Sequence, residues 1–287
     1  MAESSETEVR PPEKIAETAT KKTAKKAHLD FQVLTTLGIL AGLYIGFGGL
    51  LATVALAGAE EAMPYGASRL LAGLAFTLGL ILVVVSGAEL FTGNTLLVLA
   101  WAEDRAGLGD VARAWALAYA TNFIGSLLAV ALALGAGLAM SGDGAFGAAA
   151  LKTAQAKGEM SFGKAFVSGI LANTLVCLGV WMAWGARSAT DKILVIIPPI
   201  AAFVALNTEH SVANMSLIPL GWGVRDLAGS EFWEATGLTP AEYPDASLRG
   251  LVGNLVPVTL GNIVGGVLVG TAYWFAYLRP KKERGEE

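Results

Sequence analysis

Leu206-Asn-Thr-Glu-His-Ser-Val-Ala-Asn-Met215 is the stretch on which the fold of this 287-residue chain turns. It interrupts an apolar run that begins at Ile193 and resumes to Val224. A carboxylate and an imidazole at that depth are costly unless they pair or serve a pathway. Of the two histidines only His210 lies inside such a run; His28, just ahead of the first apolar segment, reads as an interfacial residue.

Around this break the chain is 54% hydrophobic and 15% charged, with mean hydropathy +0.56. A soluble domain carries roughly 25% charge. Apolar runs long enough to cross a bilayer, about 20 residues, recur along the sequence. We therefore expect an all-α integral membrane protein of six spans, at 31–59, 70–102, 114–142, 165–186, 193–224 and 250–278. Glu89 interrupts the second span as Glu209-His210 interrupts the fifth. The organisation is a polar segment at 1–30, a pore domain at 31–278 and a charged tail at 279–287. The first thirty residues lack the apolar core of a signal peptide and are expected to be mobile or a surface helix over about 13–28. The single Cys177 sits in an apolar run, so neither a disulfide framework nor a cysteine metal site is expected. No cofactor and no nucleic-acid partner is expected either.

Six spans put both termini on one side, and 14 of the 20 Lys and Arg fall there. The basic excess marks the cytoplasmic face, so both ends are expected in the cytoplasm. The loop at 225–249 is then external. With Glu231, Glu234, Glu242 and Asp245 around Phe232-Trp233, it is expected to form a short interfacial helix.

The two halves repeat. Gly38-Ile-Leu-Ala41 returns as Gly169-Ile-Leu-Ala172, Glu89-x4-Asn94 as Glu209-x4-Asn214, and Asn122-x2-Gly125 as Asn262-x2-Gly265, each in its corresponding span. Halves of three spans insert with opposite orientation, and broken helices in matching positions point to a binding site near the midplane. Each break also creates a half-helix amino-terminus that favours an anion. Glu89 and Glu209, each just before a resumed helix, are expected to cap its free backbone donors, with Asn94 and Asn214 as further structural residues at the breaks.

Val85-Ser-Gly-Ala-Glu-Leu-Phe-Thr-Gly-Asn94 and Glu209-His-Ser-Val-Ala-Asn-Met215 resemble the two helix breaks of the formate/nitrite transporter family, nearest to its bacterial formate channels. Pro219, Arg225-Asp226, Phe232-Trp233 and Pro257-Val-Thr-Leu-Gly-Asn-Ile-Val-Gly-Gly266 are also similar, and the likeness runs over about 34–278. The resemblance implies an aquaporin-like protomer with its own pore, assembled as a homopentamer. It implies that His210 is the central pore histidine, faced by the hydroxyl of Thr92, that Lys157 lies in the external vestibule, and that Asn173 lines the pore. It places Leu80, Leu90 and Val176 at a cytoplasmic constriction and Phe76 and Phe203 at a periplasmic one. Read without it, Lys157 is a solvated loop charge, Thr92 a cap for its own loop, and the two phenylalanines ordinary packing. One departure stands out: Asn207 and Thr208 replace the glycine and aromatic usual before the Glu-His pair, bringing two polar side chains near the pore.

A bare anion in such a greasy centre costs several kcal/mol or more. An imidazole there can donate a hydrogen bond or a proton, and its unperturbed pKa of about 6.5 suits the task. The leading expectation is passive or proton-linked passage of small monovalent anions across the bacterial cytoplasmic membrane, formate first. Nitrite, hydrosulfide or short carboxylates such as acetate and lactate are alternatives on the same fold. An enzyme is not expected, since one intramembrane histidine and no Gly-x-Ser-x-Gly leave no catalytic set. From a different class, the basic amino-terminal segment could make the protein a membrane docking platform for a soluble, formate-metabolising enzyme.

Overall fold

Pro12 in its first turn and Lys25 and Lys26 in its last define the helix α1 (Pro12–Ala27), both placements favourable to the helix dipole. A computed structural model describes residues 9–284, the side chains of residues 60, 61 and 284 excepted, so residues 1–8 and 285–287 of the expected terminal segments lie outside the described residues. α1 is a docked element. Arg10 donates to the Trp184 and Ala186 carbonyls at 3.0 and 3.1 Å, and Ile15 lies over Gly185.

Asp30 starts the first span by accepting the Val33 N–H at 3.0 Å, the N-cap of α2 (Phe31–Leu56). The chain then forms α3 (Tyr65–Ser86), α4 (Phe91–Ala102) and α5 (Leu108–Gly135). The second half gives α6 (Ala145–Gly158), α7 (Phe162–Gly185), α8 (Ala189–Ala205), α9 (Ser211–Leu227), α10 (Ser230–Thr236) and α11 (Leu248–Tyr273). A π-helical turn at Trp274–Leu278 leads into α12 (Arg279–Arg284). Lys281 of α12 reaches Glu17 of α1 at 2.6 Å.

Among the described residues, five helices are long and apolar enough to cross a membrane: α2, α3, α5, α7 and the run beginning at Leu248. The remaining span is divided between α8 and α9, 17 residues each, and the expected span at 70–102 is likewise divided between α3 and α4. In the first half α2 packs between α5 and α3; in the second, α7 packs between α11 and α8. Gly125 and Gly265 stand at close approaches within these pairs. A Cβ at Gly125 would collide with the Ile39 carbonyl, and one at Gly265 with the Ile170 carbonyl. These two glycines belong to the repeated Asn-x2-Gly words, so the repeat in sequence is a repeat in packing.

The outer loop forms the expected short helix, α10, and Phe232 is buried beneath it, facing Gly147, where an added Cβ would meet the ring. The absent side chain at Gly147 gives the aromatic a socket. α6, which the sequence reading passed over as a loop, supplies that socket.

Candidate functional site

Both breaks are built alike. α3 ends at Ser86, Gly87 turns with φ +84°, and the chain runs extended to Leu90 before α4 begins. α8 ends at Ala205, Asn207 turns with φ +54°, and the chain runs extended to His210 before α9 begins. Extended backbone inside a membrane leaves donors and acceptors that something must satisfy. Two asparagines do it. Asn122 accepts the Phe91 N–H at 2.8 Å and donates to the carbonyls of Gly38 and Glu89 at 2.8 and 2.9 Å. Asn262 accepts the Ser211 N–H at 2.8 Å and donates to the carbonyls of Gly169 and Glu209 at 2.8 and 3.0 Å. Each pins a break to the first span of its own half.

The expectation that Glu89 and Glu209 cap these helices is corrected. The first donors of α4 and α9 are taken by Asn122 and Asn262, which frees the carboxylates for side-chain partners. Glu209 accepts from Lys157 at 2.7 Å, from Asn214 at 2.6 Å and from Asn254 at 3.0 Å. Glu89 accepts from Lys26 and Asn94, both at 3.0 Å. The first pair is buried, with side chains 11% and 1% exposed, whereas the second is more open at 27% and 6%. Lys157 is thus no solvated loop charge. Lys26 and Lys157 each stand five residues before the first span of a half, at Phe31 and Phe162. The repeat therefore includes α1 and α6, and each half carries its own lysine–glutamate pair.

His210 stands directly at the start of α9. Its Nδ1 accepts the Ala213 N–H at 3.1 Å, so that nitrogen carries no proton. The neutral ring is then protonated on Nε2, which donates to Thr92 Oγ1 at 2.9 Å. The hydroxyl proton of Thr92 is left to point elsewhere. Phe203 lies 5.6 Å from the imidazole and meets Phe76 edge-on at 5.4 Å. Leu80, Leu90 and Val176 are buried in one apolar cluster that also holds Phe76 and Phe203. Leu80 and Leu90 also wall a cavity of about 100 Å³ that opens toward Lys22, Lys26 and Lys192. Asn173 donates to the Asn262 carbonyl at 2.6 Å and to Thr95 Oγ1 at 3.1 Å, and its own Oδ1 is buried without a partner among the described residues.

A family model for formate/nitrite transporters matches residues 13–275. The chain belongs to the formate/nitrite transporter family. It is 43% identical over 245 residues to Formate channel FocA of Escherichia coli (strain K12), covering 85% of this chain and 86% of the relative. It is 40% identical over 252 residues to Formate channel FocA of Haemophilus influenzae, covering 88% and 87%. A solved structure described as a pentameric formate channel with formate bound is similar at a TM-score of 0.77 and 41% identity, covering 90% of this chain and 99% of that one. An FNT family ion channel is similar at a TM-score of 0.78 and 28% identity, covering 92% and 98%. The protein is accordingly a membrane protein of a transporter family.

Asn207 and Thr208, the two polar residues ahead of the Glu-His pair, bond to their own surroundings. Asn207 accepts from Arg69 at 2.7 Å, and Arg69 also donates to the Val204 carbonyl at 2.9 Å. The Thr208 hydroxyl donates to the Phe203 carbonyl at 2.8 Å. Both side chains are spent on the turn that carries Phe203 and His210. Sequence reasoning missed Lys26, Asn254 and Arg69, and saw Asn122 and Asn262 only as markers of the repeat. The shared spacing of Lys26 and Lys157 ahead of their spans was the available signal for the first.

Proposed function

We propose that this protein is a pore for small monovalent anions, formate first, in the bacterial cytoplasmic membrane. The α1 side faces the cytoplasm, and five copies assemble, each with its own path. The basic excess on the α1 side supports the orientation, and the descriptions of the relatives support formate and the pentamer. The observation that carries the reading is the His210–Thr92 pair: a buried neutral donor joined to a hydroxyl, in an apolar surround whose phenylalanines and aliphatics we assign to two constrictions. It performs transport, with no catalytic step.

Each end of the path carries a lysine, and the amino-termini of α4 and α9 add partial positive charge near the centre. An anion passing Lys157 or Lys26 loses water against the apolar rings. Desolvation raises the pKa of a carboxylate, so a weak-acid anion takes up a proton there and crosses as the neutral acid. Thr92 supplies a hydrogen bond at the midpoint, held in place by Nε2 of His210. A second proton on the imidazole would have to displace the Ala213 N–H from Nδ1. In the resting state His210 therefore orients Thr92 and donates a hydrogen bond; a charged imidazolium forms only when that cap opens. Competitive flux in proteoliposomes, with formate, nitrite, hydrosulfide and acetate over roughly pH 5 to 8, tests this around the histidine range. Formate flux should lead and rise as pH falls. Flux of none of the four anions, or a formate rate indifferent to pH, refutes the proposal.

A further inference from the structure

The cavity beneath Leu80 and Leu90 carries more positive charge than a monovalent anion needs. Its walls are apolar apart from Lys22, Lys26, Lys192 and Glu89. Glu89 is already held by Lys26 and Asn94. Lys22 and Lys192 have no carboxylate within ion-pair distance among the described residues. Asp191, next in sequence to Lys192, is committed to the cap of α8, where it accepts the Ser188 N–H at 3.1 Å. The remaining charges around Lys22 are Lys192, Lys26, Arg10 and Lys25, and they hold its pKa below the usual lysine value after the larger effect of partial burial. About 100 Å³ is room for one small oxyanion, given that a water takes about 30 Å³.

We infer that Lys22 and Lys192, with Lys26 behind them, form a binding site for a phosphate-class dianion at the α1 mouth of the pore, where its occupancy closes the path to monovalent anions. A dianion satisfies both uncompensated ammonium groups at once; a monovalent substrate satisfies one and moves on. The binding half stands on the cavity alone, while the closing half rests on the transport reading above.

The test has two arms on the full-length protein. In detergent, binding of inorganic phosphate is measured by phosphorus NMR line broadening for the wild type, K22Q, K192Q and the double variant. K14Q is the control, because Lys14 pairs with Glu17 outside this cavity. Loss of two charge-assisted contacts should weaken phosphate binding at least about tenfold in the double variant and leave K14Q unchanged. In vesicles of sorted orientation, phosphate on the α1 face should slow formate flux beyond chloride at matched ionic strength, and phosphate on the opposite face should not. Repeating this with and without phosphatidic acid in the membrane identifies the source. Slowing by phosphatidic acid without free phosphate assigns the site to a lipid headgroup, and slowing that needs free phosphate assigns it to a solute; either supports the site provided K22Q/K192Q abolishes it. Equal binding by the wild type and the double variant overturns the inference, as does equal slowing from both faces. If the wild type carries no formate, the binding arm still decides the site. If binding fails while formate flows, the transport reading stands without it.

Discussion

Replacing Lys157 by methionine keeps the aliphatic stem and removes the cation from Glu209. That carboxylate is 1% exposed and would retain only the Asn214 and Asn254 amides. Breaking a buried ion pair by deleting one partner costs about 3–5 kcal/mol. The two surviving amide donors hold the cost near the lower end, about 3 kcal/mol, because they already satisfy one carboxylate oxygen. Each kcal/mol moves the melting temperature of a protein of this size by about 2–4 °C, so Lys157→Met should lower Tm by on the order of 10 °C in detergent at neutral pH. The other half of the molecule supplies the control. Lys26, with its side chain 27% exposed, is screened by water, and Lys26→Met should cost about 1 kcal/mol or less. Adding Glu209→Gln to Lys157→Met removes the stranded charge and should restore most of the loss. Thermal unfolding followed by tryptophan fluorescence reads all four proteins. Equal losses for the two lysine variants, or no recovery in the double variant, would refute the assignment of Lys157–Glu209 as a buried, mutually dependent pair.

His210→Asn keeps a good N-cap acceptor for α9 but is too short to hold Thr92, so Tm should stay near the wild type while formate flux falls across the pH range and still rises as pH falls; undiminished flux in liposomes counts against the role given to the ring. Asn207→Ala removes the Arg69 bond and places alanine at φ +54°, which should cost about 1–3 kcal/mol by thermal unfolding, whereas Asn207→Gly loses only the bond and should cost less. Equal losses would show that the left-handed turn carries no strain. Glu17 is held below its ordinary value of 4.5, chiefly by the hydrogen bond from Lys14 and next by that from Lys281. A depressed carboxylate stabilises the folded contact above pH 4.5, and that contribution is lost as pH falls through the lower folded value. The α1–α12 contact should therefore persist from neutral pH to about 4.5 and loosen below it, read by spin-label distances between the two helices, and Glu17→Gln should flatten that profile.

Much of this architecture was written in the local pattern. Unbroken apolar runs announced the spans, and two carboxylates at equal depth announced the breaks, because charge inside an apolar run has few innocent explanations. The three repeated words located the packing as well, since Gly125 and Gly265 sit where helix backbones touch. What stayed hidden was long-range. α6, Ala145–Gly158, is too short and too rich in small residues to signal a membrane segment, and its burial depends on α9 and α10. The lysine partners of Glu89 and Glu209 lie 63 and 52 residues away, beyond any helical spacing. Local capping rules therefore assigned the carboxylates to donors that Asn122 and Asn262 already occupy. The two polar residues Asn207 and Thr208 looked like additions to the path, because nothing near them in sequence shows Arg69 and the Phe203 carbonyl waiting.

The bond between Thr92 and His210 has a consequence for ancestry as well as for transport. By the alignment of the two glutamates, His210 corresponds to Leu90 and Thr92 to Val212. Each half holds one polar residue and one aliphatic residue at these two positions, and the halves chose opposite ones. A faithful dimer of either half would place two histidines in the middle with no threonine, or two threonines with no histidine. The contact joins unlike positions of the two halves, the first position of one to the second of the other. Neither half as it now stands could make it in a symmetric dimer with itself, so the divergence of the halves is what permits this heteropolar contact.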